Sequence, residues 1–200
     1  MKDAPDICIR GKTAEVTEKA EELGWRDPES YETVFLDADD WGELKRKIQK
    51  NRENCDVLVF NGGDEKLNRK AASDARIDVL IHPEKGRKDS GVDEVIARKA
   101  AENRVAIGFD IQELFRTPKI QTHILSHWRK NLNLCEKYDT RYIITTGAHE
   151  KFDLRAPRDL ASVLNSIDFD GKKAIETQQK ILEENLDIQE KGMNGGVKKE

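Results

Sequence analysis

Val57-Leu58-Val59-Phe60 is an unbroken apolar run, closed by Asn61-Gly62-Gly63. A strand with one wet face alternates apolar and polar residues. A short continuous run instead predicts a strand covered on both faces, as in a parallel sheet flanked by helices. Comparable runs recur on either side. Upstream lie Ile7-Cys8-Ile9, ended by Gly11, and Thr33-Val34-Phe35-Leu36. Downstream lie Ile77 to Ile81, ended by His82-Pro83, then Val105 to Phe109, and Tyr142-Ile143-Ile144-Thr145. Their β-branched and aromatic content predicts strands at all six places.

Helical patterns fill the intervals. Thr13 caps a helix to Leu23, with Val16, Ala20 and Leu23 on one face and Gly24 as the stop. Asp40-Trp41-Gly42-Glu43 and Ser90-Gly91-Val92-Asp93 both have capping-box spacing and open helices to about Arg52 and Asn103. A short polar helix covers about Glu65 to Ser73. A long one runs from Lys119 to Tyr138, its Ile120, Ile124, Trp128, Leu132 and Cys135 forming one apolar stripe, so that Trp128 reads as core. Pro157 suits the first position of a helix to about Leu164, and Asp170 opens the last helix. From about Asn185 the chain turns polar, which predicts a single α/β domain over residues 1–185 and a polar, disordered tail over 186–200.

Strand–helix alternation with short connections implies parallel strands joined by right-handed crossovers. An open doubly wound sheet and a barrel both satisfy that pattern. In both, ligands meet the carboxyl ends of the strands. His82, Arg87 and Lys88 fall at one such end, Asp110, Gln112 and Arg116 at the next, and Thr146, Gly147, His149 and Arg155 at the last.

Composition narrows the function classes. The 200 residues are 36% hydrophobic and 37% charged with net charge −4, which suits a folded chain rather than a disordered polyelectrolyte. No apolar run approaches the roughly 18 residues of a membrane span, and the first residues lack the apolar stretch of a signal peptide, so the expected location is the cytoplasm. Charge is uneven. Residues 1–83 carry 14 basic and 19 acidic side chains, residues 84–130 carry 10 and 7, and residues 131–200 carry 11 and 13. No acid lies between Glu113 and Glu136, a stretch that holds Arg116, Lys119, Arg129 and Lys130. Screening confines each charge to about 8 Å at physiological salt, so a local basic surface can hold a polyanion on an acidic chain.

Dinucleotide, P-loop and nucleophile-elbow glycine motifs are absent, and Asn61-Gly62-Gly63-Asp64 reads as a turn. Cys8, Cys55 and Cys135 are far apart and sit in apolar stretches, as small buried hydrophobes do. His123 and His127 have the i, i+4 spacing of a metal pair, but no neighbouring acid completes a ligand set.

Two segments carry a more specific signal. One is His82-Pro83-Glu84-Lys85-Gly86-Arg87-Lys88-Asp89-Ser90-Gly91-Val92-Asp93, running into a helix and a strand. The other is Ile144-Thr145-Thr146-Gly147-Ala148-His149-Glu150-Lys151-Phe152-Asp153-Leu154-Arg155-Ala156-Pro157-Arg158-Asp159-Leu160. Together they resemble the 30-kDa subunit family of ribonuclease P, protein component 3 in archaea, over roughly Ala4 to Asn185. The resemblance implies a TIM-barrel-like parallel α/β barrel related to metal-dependent phosphoesterases. Those enzymes open with a His-x-His metal pair at the end of the first strand; Cys8 and Arg10 stand at the corresponding places, and a guanidinium has no lone pair to offer a metal.

The resemblance further implies a subunit of the ribonucleoprotein that removes 5′ leaders from precursor tRNA. The RNA would break the bond with Mg2+, and the protein would hold no catalytic residue, metal or cofactor of its own. It would pair with component 2 as a dimer of heterodimers, beside the other protein subunits, and meet precursor tRNA through the complex. Arg87, Lys88, Arg116, Lys119, His123, Arg155 and Arg158 are the expected RNA contacts, as a cationic cluster. Arg155, close to Asp153 and Asp159, could instead serve a local ion pair. A divergent metal phosphoesterase on the same fold, and an α/β module that binds a protein or small molecule without RNA, are the alternatives.

Overall fold

The computed structural model describes residues 3–116 and 120–194, the side chains of Arg116 and of 190–194 excepted. Five strands, β1 (Thr33–Leu36), β2 (Val57–Asn61), β3 (Val79–Ile81), β4 (Ala106–Asp110) and β5 (Tyr142–Thr145), form one sheet in the order of the chain. Every neighbouring pair is parallel. A doubly wound sheet reverses its strand order at a switch point. This order never reverses, so right-handed crossovers bring the helices to one face and turn the other inward, the arrangement of a barrel.

Each strand accordingly feeds two apolar layers. Leu58, Phe60, Leu80, Ile107, Phe109 and Ile144 face a layer built from helical residues such as Leu44, Ile48, Ile96, Trp128, Leu132 and Leu160. Val57, Val59, Val79, Ile81, Ala106 and Ile143 face an inner layer closed by Ile7, Cys8, Ile181 and Leu182. Burial on both sides is what the unbroken β2 run requires.

The helices are α1 (Ala14–Glu22), α2 (Trp41–Asn51), α3 (Glu65–Ala72), α4 (Glu94–Asn103), α5 (Gln112–Arg116), α6 (Gln121–Tyr138), α7 (Pro157–Asn165) and α8 (Gly171–Asn194), the last of which also lends Ile181 and Leu182 to the inner layer. Thr13, Asp40 and Asp64 cap α1, α2 and α3, each accepting from a backbone N–H in the first turn. Trp128 of α6 is buried edge-on against Phe109, with centroids 5.3 Å apart.

Three expectations need correction. Ser90 does not cap α4: Asp93 does, accepting from Ile96 N–H, while the Ser90 hydroxyl turns to Val92 C=O. The helix continues past 185. Asn185 donates to Asp56 C=O and Asp78 Oδ1, and Gln189 to Cys55 C=O, so polar residues of α8 are bonded to the floor of the barrel up to Gln189 and the helix reaches Asn194. Residues 195–200 lie outside the described residues, as does the expected helix start at Lys119.

The third correction concerns Ile7-Cys8-Ile9, which is buried but forms no strand. Side chains and turns take its backbone groups instead of a ladder. Ile7 N–H donates to Gln178 Oε1 at 3.1 Å, and Ile7 C=O accepts from Thr33 Oγ1 at 3.0 Å. Arg10 and Gly11 N–H both donate to Ala148 C=O, at 2.8 and 3.0 Å. Residues 6–11 thus bond to the β1 side and to the β5 side, which do not pair with each other. The carboxylate of Asp6 anchors the join, accepting from Thr145 Oγ1 and Thr146 Oγ1 at 2.5 Å each and from Thr146 N–H at 2.8 Å.

Candidate functional site

The carboxyl ends of β3 and β4 open into a cleft of about 410 Å³. His82 follows β3 directly and holds a left-handed backbone, φ 53°. Its Nδ1 lies 2.7 Å from Glu113 Oε1 on α5, and its Nε2 lies 3.3 Å from Asp110 Oδ2 at the end of β4. Glu84 completes the cluster. The opposite wall comes from Ile120, His123, Ile124 and His127.

Burial alone would lower the His82 pKa, but hydrogen bonds to Asp110 and Glu113 outweigh it and lift the imidazole to about 9. Burial and the adjacent Glu113 charge push the Glu84 carboxyl well above its ordinary value. Burial would also raise Glu113, yet the bonds from His82 and Glu84 bring it below. The surroundings thus favour the protonated forms of His82 and Glu84 and the ionised form of Glu113. Gly147 lets the Asp110 carboxylate approach: a Cβ there would stand 2.3 Å from both of its oxygens.

His82, Glu84 and Glu113 bring one ligand atom each within 4.8 Å of one another, so they are the group among the described residues that could hold a metal. Both imidazole nitrogens are already engaged, and a metal would have to displace the His82 proton and break its bonds to Asp110 and Glu113. The positions of a phosphoesterase His-x-His pair do not fit one. Cys8 is fully buried in the inner layer, where desolvation pushes its thiol well above the usual range. Arg10 lies over the Phe35 ring at 4.0 Å and donates to Asn61 Oδ1 at 2.8 Å. A guanidinium in that place cannot ligate.

The expected RNA contacts divide by environment. Arg87 forks onto Asp89, at 2.8 and 2.7 Å, and reaches Glu65 at 3.5 Å. Asp89 also accepts from Gly91 N–H, and the Arg87 bond with this one holds it at about 2. The basic-Asp-Ser-Gly motif is therefore a built turn, in which Arg87 locks the loop. Lys88 beside it is exposed. His123 is exposed on the cleft wall, together with Arg87 and Lys85.

Arg155 pairs with neither Asp153 nor Asp159; its Nη1 donates to the carbonyls of Phe152 and Leu154 at 2.8 and 2.7 Å. Arg158 at the start of α7 is 83% exposed, with Asp159 at 3.6 Å. The side chain of Arg116, and Lys119, lie outside the described residues. Of the cluster, His82 and Glu84 open the first of the two specific segments and Asp110 was marked by its strand end, whereas Glu113 and the Asp6 anchor had no motif to announce them.

Gly91 makes the turn possible. Its φ is +71°, and a Cβ would stand 2.0 Å from Pro83 O. Replacing Gly91 with alanine is expected to cost about 1–3 kcal/mol in denaturant melts. A variant as stable as the parent would show that the turn does not need that close approach.

Fold and site together define a barrel-type α/β protein with a charged cleft at the carboxyl ends of its strands. Residues 12–190 match the family described as RNase P subunit p30. The chain belongs to that family. It is 33% identical to ribonuclease P protein component 3 of Methanococcus maripaludis (strain S2) over 166 residues, covering 82% of this chain and 72% of that one. It is 35% identical to component 3 of Methanocaldococcus jannaschii over 156 residues, covering 76% and 67%. The match to component 3 of Methanococcoides burtonii is 39% over 158 residues, covering 76% and 65%. Among solved structures, a chain in a cryo-EM structure of archaeal ribonuclease P with mature tRNA superposes with a TM-score of 0.75 at 33% identity, covering 90% of this chain and 76% of that one.

Proposed function

We propose that this chain is a protein subunit of a ribonuclease P ribonucleoprotein, acting in the maturation of precursor tRNA 5′ ends. The reading is supported above all by the likeness, over 90% of the chain at 33% identity, to a chain of archaeal ribonuclease P. Its work is to neutralise and order RNA. Lys88, Arg116, Lys119, His123 and Arg158 supply cationic or hydrogen-bonding groups to phosphates, while Arg87 and Arg155 shape the loops that present them. Bond cleavage belongs to the RNA and its Mg2+, and the chain holds no metal or catalytic side chain of its own. Component 2 is its direct protein partner, in a dimer of heterodimers with the other subunits alongside, and the complex works in the cytoplasm. Among the described residues no helix is long and apolar enough to cross a membrane.

Reconstitution tests this. Added with component 2 to the catalytic RNA at low Mg2+, the chain is expected to raise turnover, and alone to cleave nothing. Lys88→Ala and Arg158→Ala are each expected to lower the salt slope of RNA binding by about 0.7–0.9 if the residue contacts one phosphate. Unchanged turnover, or RNA binding indifferent to salt, would defeat the reading.

A further inference from the structure

Large apolar side chains stand exposed at few places among the described residues. Val95 and Ile188 lie on α4 and α8, and Ile120 on the cleft wall before α6; Phe115 and Phe152 follow β4 and β5, at the carboxyl end of the sheet, and are 48% and 73% exposed. Burying a phenylalanine is favourable, so a ring held out in solvent forgoes that gain. Phe152 does not sit on a loose loop. Asp153 Oδ2 accepts from the N–H groups of His149 and Glu150, and Asp153 C=O accepts from Gln112 Nε2, which ties the turn to α5. Trp25 Nε1 fixes Arg155 C=O at 2.7 Å.

Arg155 links the Phe115 ring to the backbone of Phe152. Its Nη1 donates to Phe152 C=O, and its Cζ lies 5.1 Å from the Phe115 centroid. Lys151 Nζ lies 5.4 Å from the Phe152 centroid while also reaching Glu15 at 2.9 Å. The centre of a protein–protein interface is poor in charge; here each exposed ring carries a cation. Aromatic faces beside Lys and Arg are how proteins hold unpaired bases, the ring taking the base and the cation its phosphate.

We propose that Phe115 and Phe152, linked by Arg155, form a stacking platform for unpaired RNA bases. This rests on the RNA-subunit reading above and adds to it a contact independent of charge. The full chain, Phe115→Ala, Phe152→Ala and Phe152→Trp are titrated with ribonuclease P RNA across a salt series. Each alanine variant is expected to keep the parental melting temperature and salt slope but to bind about 5- to 150-fold more weakly, the range for one lost base stack. Tryptophan restores binding, and 4-thiouridine RNA crosslinks to the 151–155 turn of the parent. Affinity within twofold of the parent for both alanine variants overturns the platform. So does intact RNA affinity with weakened association to component 2, which would make the rings a protein contact. If the parent itself binds no RNA, the subunit reading falls first and the platform with it.

Discussion

Replacing Asp6 with alanine is expected to remove about 3–5 kcal/mol of stability, the scale of a few buried hydrogen bonds left unmade. Asp6 is fully buried. Its carboxylate accepts from two hydroxyls and one backbone N–H of Thr145 and Thr146, all buried. Truncation leaves these donors facing an apolar gap, and each unmade buried hydrogen bond costs about 1–3 kcal/mol. The loss is a large share of the roughly 5–15 kcal/mol that holds a domain. At about 2–4 °C per kcal/mol for a chain of this size, the melting temperature should fall by about 10 °C. Burial raises the Asp6 pKa against the pull of these hydrogen bonds. A variant melting within about 2 °C of the parent, less than 1 kcal/mol on that scale, would mean that residues 6–11 do not close the sheet.

Stability should fall as pH rises from 6.5 to about 9, because His82 is held protonated. A group whose folded pKa lies above its unfolded value contributes fully below the unfolded pKa, and the contribution is lost as pH climbs through the folded one. For His82 those limits are 6.5 and about 9, a difference worth about 3 kcal/mol at most. Glu84 acts in the same sense, since its raised pKa also favours the protonated folded state. Glu113 acts oppositely, contributing above its unfolded value of 4.5 and losing that as pH falls.

Asparagine at 82 accepts the left-handed backbone and does not titrate. The His82→Asn variant should therefore be less stable than the parent at about pH 6.5, and the gap should close by about pH 9.5. His123, His127 and Lys85, which line the same cleft, are common to both curves and cancel in the difference. Denaturant midpoints that run parallel across this window would show that the imidazolium network contributes nothing to the fold.

The elements were legible in the chain because they depend on neighbours in sequence. The β1 and β5 spans match the apolar runs residue for residue, and Thr13, Asp40 and Pro157 start α1, α2 and α7 as their chemistry demands. The placement of His82, Asp110, Gly147 and Arg155 at or beyond strand ends was legible too, since a parallel sheet puts all such ends together.

The fate of Ile7-Cys8-Ile9 was not legible. Its apolarity reports burial, and burial is real, but the hydrogen-bond partners that replace a ladder at Ile7 are Gln178 and Thr33, up to 171 residues away. Nor was the difference between Arg87 and Lys88, adjacent cations of which one is locked onto Asp89 and Glu65 and the other stands in solvent. Periodicity, capping and turn chemistry act over a few residues and are written in the chain itself. Which charges neutralise one another depends on distances of a few ångströms between segments that only folding brings together.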